Sequence, residues 1–226
     1  MGIFLTGGGD QEYFRELDQY FISQVPAPAK ALIIPFAADE EDFDDIRERI
    51  EETFKGPYLT EIDLLTTARA LTDEELDEYS AIFIEGGNTF QLIQTTRESG
   101  LLNSLKKFSG LNKQIYADSA GAILLGANIE TAFLGDDPDE DFLQLQNYNG
   151  LDILNPWSIH AHYDPAEDED LTQFVYDKAN PIIAIPEEGG LLFEGGSLFS
   201  MGQVPISLFT FSGKEILSPG ERFSLL

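Results

Sequence analysis

The chain has no cysteine, only two histidines and few cations, and each shortage closes off a kind of chemistry. Without cysteine there are no disulfides, no thiolate metal sites and no thiol nucleophile. Two histidines cannot furnish a multi-histidine metal centre, so no metal and no cofactor is expected. Thirteen Lys and Arg against 41 Asp and Glu leave a formal net charge of −28. Such a surface repels phosphate backbones and excludes nucleic-acid binding. Long apolar runs are also missing, since none approaches the ~20 residues of a membrane helix. The opening MGIFLTGGGD has no basic segment ahead of its apolar residues and does not read as a signal peptide. A cytoplasmic chain with no membrane partner is the expectation.

What is present suffices for a large core. Hydrophobic residues make up 42% of the chain, with 17 Phe and 8 Tyr. Short apolar runs at 3–6, 31–36, 60–65, 81–85 and 114–117 alternate with stretches of helical spacing. Residues 39–55 place Phe43, Ile46, Ile50 and Phe54 on one face of an acidic helix, and another helix is expected from about Phe90 to Lys107. This alternation predicts an α/β three-layer sandwich: a mostly parallel central sheet with helices on both faces. From Pro181 onward, short apolar runs follow one another across Gly-Gly and Gly-Ser turns, which predicts hairpins and an antiparallel C-terminal extension. Residues 1–226 read as one domain, and edge strands in such a tail are compatible with a homodimer.

In open α/β sheets, ligands bind beyond the carboxyl ends of the strands. Three loops lie there: Gly7-Gly8-Gly9, Gly86-Gly87-Asn88 and Asp118-Ser119-Ala120-Gly121. The first lacks the spacing of a dinucleotide or Walker loop and reads as a tight turn that lets backbones approach closely. Ser119, between a buried strand and a helix of small residues, has the layout of a nucleophile elbow, with the Ala120 N–H aimed where an oxyanion forms. A serine nucleophile needs a base, and only His160 and His162 are available. The acid that orients the base is open on spacing alone: Glu187 and Glu188 lie just past a strand, and Asp136, Asp137 and Asp164 compete with them.

These pieces together resemble peptidase E and cyanophycinase, the serine peptidases of family S51, whose fold is similar to that of class I glutamine amidotransferases. The resemblance runs through Thr6-Gly-Gly-Gly9, the strand from Ala31 to Ala37, Ile84-Glu-Gly-Gly-Asn-Thr-Phe90, Ser119-Ala-Gly-Ala122 and His162-Tyr163. It implies Ser119 as nucleophile and His162 as general base, with Gly87 and Ala120 N–H groups as oxyanion hole and Asn88 and Tyr163 beside the substrate. Glu187, in Ile185-Pro-Glu-Glu-Gly-Gly, is the implied triad acid, with Asp136 and Asp137 as alternatives. The implied activity is that of a serine exopeptidase on short peptides, a dipeptidase that includes Asp-X among its candidate substrates. A cyanophycinase-like hydrolase and a non-catalytic binding protein on the same fold are the alternatives.

Two departures bear on specificity. Aspartyl dipeptidases resemble one another in an arginine soon after the histidine, whereas residues 163–177 here hold no Lys or Arg. Arg15, Arg47, Arg69 and Arg97 are the substitutes the sequence suggests. Asp118 stands where the family usually has Thr or another small residue, and reads as a turn residue bonded to solvent or backbone.

Overall fold

The computed structural model describes residues 1–225. Its main sheet has eight strands, five of them parallel at one side and an antiparallel group at the other. The parallel part comprises β1 (Gly2–Thr6), β2 (Ala29–Ile34), β3 (Leu59–Leu64), β4 (Ala81–Ile84) and β5 (Gln114–Asp118). β1 and β4 are buried along their whole length, as expected of strands covered on both faces. β1 pairs parallel with β5, Thr6 opposite Asp118, so the carboxyl ends of the two strands lie side by side.

Residues alternate between the two faces of the sheet. Phe4 faces α1 (Arg15–Gln24) and α2 (Phe43–Phe54), while Ile3 and Leu5 face α4 (Thr89–Glu98), α5 (Leu101–Ser109) and α6 (Ala120–Leu125). α3 (Asp73–Glu78) is a short helix closed by a Thr72–Glu75 capping box. The single helix expected from about Phe90 to Lys107 is divided into α4 and α5, because Gly100 takes φ 77 and turns the chain between them.

The C-terminal extension divides between two sheets. β8 (Gly190–Glu194) and β9 (Ser197–Ser200) form the expected hairpin, with β8 antiparallel to β1, and β12 (Arg222–Ser224) completes that edge. β7 (Ile182–Ala184) does not join them. It runs parallel to β6 (Ser158–His160) and antiparallel to β10 (Ile206–Thr210), which pairs with β11 (Gly213–Leu217) in a separate four-stranded sheet. α7 (Asp168–Lys178) packs on this second sheet. Among the described residues, no helix is long and apolar enough to cross a membrane.

Under the α1–α2 layer, Phe21 meets Phe4, Phe54, Phe83 and Tyr116 with ring centroids 5.1–5.4 Å apart. Into this aromatic core α1 sends Asp18, which accepts from Tyr116 Oη at 2.7 Å and Gln11 Nε2 at 2.7 Å. Burial outweighs both bonds and pushes the Asp18 carboxyl up to about 6. A carboxyl raised in the folded state stabilises fully below its unfolded value, and that contribution is lost as pH rises through 6. Asp18→Asn keeps both bonding partners, since the Gln11 amide can reverse, and removes the titration. Its stability relative to the wild type should therefore rise by about 2–3 kcal/mol between about pH 4 and pH 7, in urea unfolding followed by circular dichroism. A difference that stays flat with pH would contradict a desolvated Asp18.

Candidate active site

Ser119 sits where β5 hands over to α6, with φ 45 and ψ −111. A non-glycine residue rarely holds a positive φ, and a serine held so at a strand-to-helix turn is the elbow geometry that pushes Oγ out of the sheet. The following small residues permit it. A Cβ on Gly121 would come within 2.2 Å of the Ile84 carbonyl oxygen, so glycine lets α6 settle on the end of β4. As the first residue of α6, Ala120 has an N–H with no partner inside the helix.

Ser119 Oγ lies 2.8 Å from His162 Nε2, and His162 Nδ1 lies 3.2 Å from Glu187 Oε1. The three come from distant parts of the chain, and the Gly7-Gly8-Gly9 turn brings them together. Gly7 O accepts from the His162 N–H, and the His162 ring lies over Gly8, where a Cβ would stand 2.1 Å from Cε1. A Cβ on Gly7 would meet the Pro186 carbonyl at 1.9 Å, and one on Gly9 the Glu187 carbonyl at 2.4 Å. The three glycines are thus required by the backbones and the ring that close on them. Glu187 is 61% exposed at its side chain, so water screens its charge toward the imidazole. Among the described residues, no hydrogen bond joins Asp136 or Asp137 to His162.

Gly87 follows β4 with φ 130, and a Cβ there would lie 2.3 Å from the Ala37 carbonyl oxygen. Gly86 lies against Ser119, the two separated by 3.2 Å from its would-be Cβ to the serine Cβ. Asn88 caps α4 by accepting from the Gln91 N–H and donates to the Glu140 carbonyl, so its polar atoms are already engaged. Tyr163, placed beside the substrate by the sequence reading, is packed instead against Phe209 and α7, its hydroxyl bonded to Asp168 and Lys214. The reason is that β6 ends at His160 and the chain turns at His162, φ 55, which sends the next side chain to the far side.

His160 is also separated from Ser119 by that turn. It is buried, bridging the Thr131 carbonyl and Glu167 Oε2 at 3.2 and 2.7 Å. Ser158, two residues earlier on β6, is wholly buried and its Oγ has no hydrogen-bond partner, so it forms no second nucleophile–base pair.

A cavity of about 540 Å³ opens over Ser119 and His162. Its wall is strongly acidic, but most of the carboxylates are committed. Asp139 accepts from the Thr89 N–H at the start of α4, Asp164 from the Ala166 N–H, and Glu167 meets His160. Beneath the serine, Asp118 accepts from Thr6 Oγ1 at 2.5 Å, and burial raises its pKa against the opposing pull of that bond and of Arg49. Glu85 is buried at the end of β4 and paired with Arg49 of α2, and burial pushes its carboxyl up to about 7. Asp118 is therefore not a turn residue but the last residue of β5, held there by the Thr6 hydroxyl across the strand pair. Of the arginines read from the sequence, Arg47 pairs with Glu51, Arg69 with Glu75, and Arg97 binds the Asn147 and Asn149 carbonyls. Arg15 lines a separate hollow with Tyr13 and Met201. Arg49 was not among them, yet it lines the cavity. Its signal was its place three residues after Ile46, on a helix that starts just past the carboxyl end of β2.

Comparison with known proteins follows the same lines. The model of Peptidase family S51 matches residues 3–201. Peptidase E of Nostoc sp. strain PCC 7120 is 26% identical over 200 residues, covering 82% of this chain and 77% of that protein. An uncharacterized peptidase of Pasteurella multocida is 27% identical over 142 residues, a match that spans 63% of this chain and 64% of that protein. Among solved structures, a peptidase from an acI-B1 actinobacterium superposes with a TM-score of 0.71, covering 99% of this chain and 96% of that one. At 17% identity this last likeness is one of fold.

Proposed function

This chain belongs to peptidase family S51 and is a serine-type peptidase, and from that premise we propose that it is an exopeptidase hydrolysing short peptides through Ser119, His162 and Glu187. The observation that carries the reading is the continuous hydrogen-bonded line from Ser119 Oγ through His162 to Glu187 at a strained elbow. In it, His162 Nε2 takes the Ser119 proton as Oγ attacks the peptide carbonyl. The N–H groups of Gly87 and Ala120 hold the oxyanion. Collapse of the tetrahedral intermediate breaks the C–N bond, and His162 returns the proton to the departing amine. Water, deprotonated by the same imidazole, then releases the acyl group and restores Ser119. Glu187 keeps Nδ1 protonated and the ring turned toward the serine.

The limit to short substrates is supported by the size of the cavity, which has room for a short peptide but not for a folded chain. A free amino terminus is supported by Asp136 and Asp137, which face the cavity from the loop after Gly135 with no hydrogen bond to their carboxylates among the described residues. Dipeptides with acidic, basic and neutral first residues, aspartyl dipeptides included, each free and N-acetylated, test the reading. Free peptides should be cleaved about 10- to 100-fold faster than their acetylated forms, the range expected for losing one charged contact. Equal rates would remove the amino-terminal requirement. A folded protein that cleaves none of them would overturn the dipeptidase reading in favour of a narrow-substrate hydrolase or a binding protein on this fold.

A further inference from the structure

Arg49 is the one Lys or Arg that lines the cavity among the described residues, and the Ser119–His162–Glu187 chemistry makes no use of it. Its guanidinium has five N–H donors in a planar fork, and the hydrogen bond it makes is from Nη2 to Glu85 Oε2. The side chain is 47% exposed, on the cavity side of α2, while the helix itself is anchored by Phe43, Ile50 and Phe54. Glu85 therefore fixes one edge of the fork, and the half-exposed guanidinium, which also faces Asp118, keeps further donors at the cavity wall. We propose that Arg49 is the specificity-determining residue of this site, binding a carboxylate of the peptide through the edge of its guanidinium not held by Glu85.

Charge placement around the cavity fits a substrate with both signs. Arg49 stands on the α1–α2 side of the sheet. The unbonded Asp136 and Asp137 stand on the other, where their loop is tied to the start of α4 through Asp139 and Thr89. A peptide lying across the strand ends between them presents its ammonium to one wall and a carboxylate to the other. Burial raises both carboxyls that face the guanidinium, Glu85 to about 7 and Asp118 above its ordinary value, which weakens their hold on the Arg49 charge. Two carboxylates of a dipeptide could fill this role: a side-chain carboxylate on the first residue, or the terminal carboxylate of the second.

The inference rests on the peptidase reading for its choice of ligand, and a binding experiment separates the two. In a Ser119→Ala background, calorimetry compares aspartyl-leucine, asparaginyl-leucine and asparaginyl-leucine amide. The first pair isolates the side-chain carboxylate and the second pair the terminal one. One of these pairs should differ by about 10- to 100-fold in Kd, and Arg49→Met should bring that ratio close to one, with Arg49→Lys in between. Arg49→Met leaves Glu85 buried without its partner, so the double variant Arg49→Met with Glu85→Gln is measured beside it and should show the same collapsed ratio with normal folding. Arg49 is overturned as the carboxylate reader if all three ligands weaken equally, if neither pair shows a preference, or if none binds. Hydrolysis by the chain with Ser119 intact is measured separately, so its failure would sink the peptidase reading while a carboxylate preference set by Arg49 still stood.

Discussion

Ser119→Ala is expected to lower kcat/KM for the best dipeptide by about 10⁴ to 10⁶, with no loss of fold. The size follows from what the hydroxyl does. In the proposed mechanism it supplies the atom that bonds to the carbonyl, and its 2.8 Å contact with His162 Nε2 holds the base in place. The variant keeps the proposed oxyanion donors and the cavity, so it should retain the part of catalysis that comes from binding and charge stabilisation alone. Alanine removes only Oγ at a φ of 45 that serine already tolerates, so thermal unfolding should move by no more than a few degrees. Adding His162→Ala should cost little more, because nucleophile and base act as one unit. Steady-state kinetics on the single and double variants, with a thermal scan of each, checks both points. Residual activity above about 1% would place the nucleophile elsewhere.

Gly87→Ala should give the second largest loss, about 10²- to 10³-fold in kcat with KM little changed. Its backbone at φ 130 is closed to an L side chain, and the added Cβ would meet the Ala37 carbonyl oxygen at 2.3 Å. That oxygen belongs to backbone and already accepts from the Asn88 N–H, so the loop has to move. In the proposed mechanism the Gly87 N–H then leaves the place where negative charge develops, an interaction made in the transition state and not in the ground state. Gly100→Ala is the control. It carries comparable backbone strain at φ 77, but its new Cβ would meet only the Ala70 Cβ at 3.5 Å, far from the site. It should lower stability and leave kcat within about twofold. If both glycine variants lose activity alike, backbone strain and not the oxyanion donor explains Gly87.

What could be read from the sequence was what depends on neighbours in the chain. The alternation of strand and helix, the elbow at Ser119 and the small residues of α6 are local patterns, and the structure has them in place. Gly7-Gly8-Gly9 could be read as a close-approach turn, but what approaches it, the Pro186–Glu187 backbone and the His162 ring, comes from a part of the chain more than 150 residues away. Glu187 could be singled out from many acidic residues only through the family resemblance, because spacing has no power when 41 carboxylates are present. The division of the C-terminal strands between two sheets was hidden for a similar reason. β7 and β8 are both short apolar runs, and which partner each takes is decided by the turn at Pro186–Gly189. Arg49 escaped because an arginine within an acidic helix looks like any solvated charge until the fold sets it against Glu85. Tyr163 was misplaced by the positive φ of His162, a feature no residue type at that position announces.

The covalent step is the account's central claim, and acid quenching during turnover tests it most directly. An aminoacyl p-nitroanilide or ester whose first residue suits the site is mixed with enzyme, quenched within milliseconds and examined by mass spectrometry after digestion. The account predicts a burst of product and one acyl group on the peptide carrying Ser119, absent from Ser119→Ala. Steady turnover with the acyl group on another serine, such as Ser158, or with no acyl-enzyme and no dependence on Ser119, would contradict it.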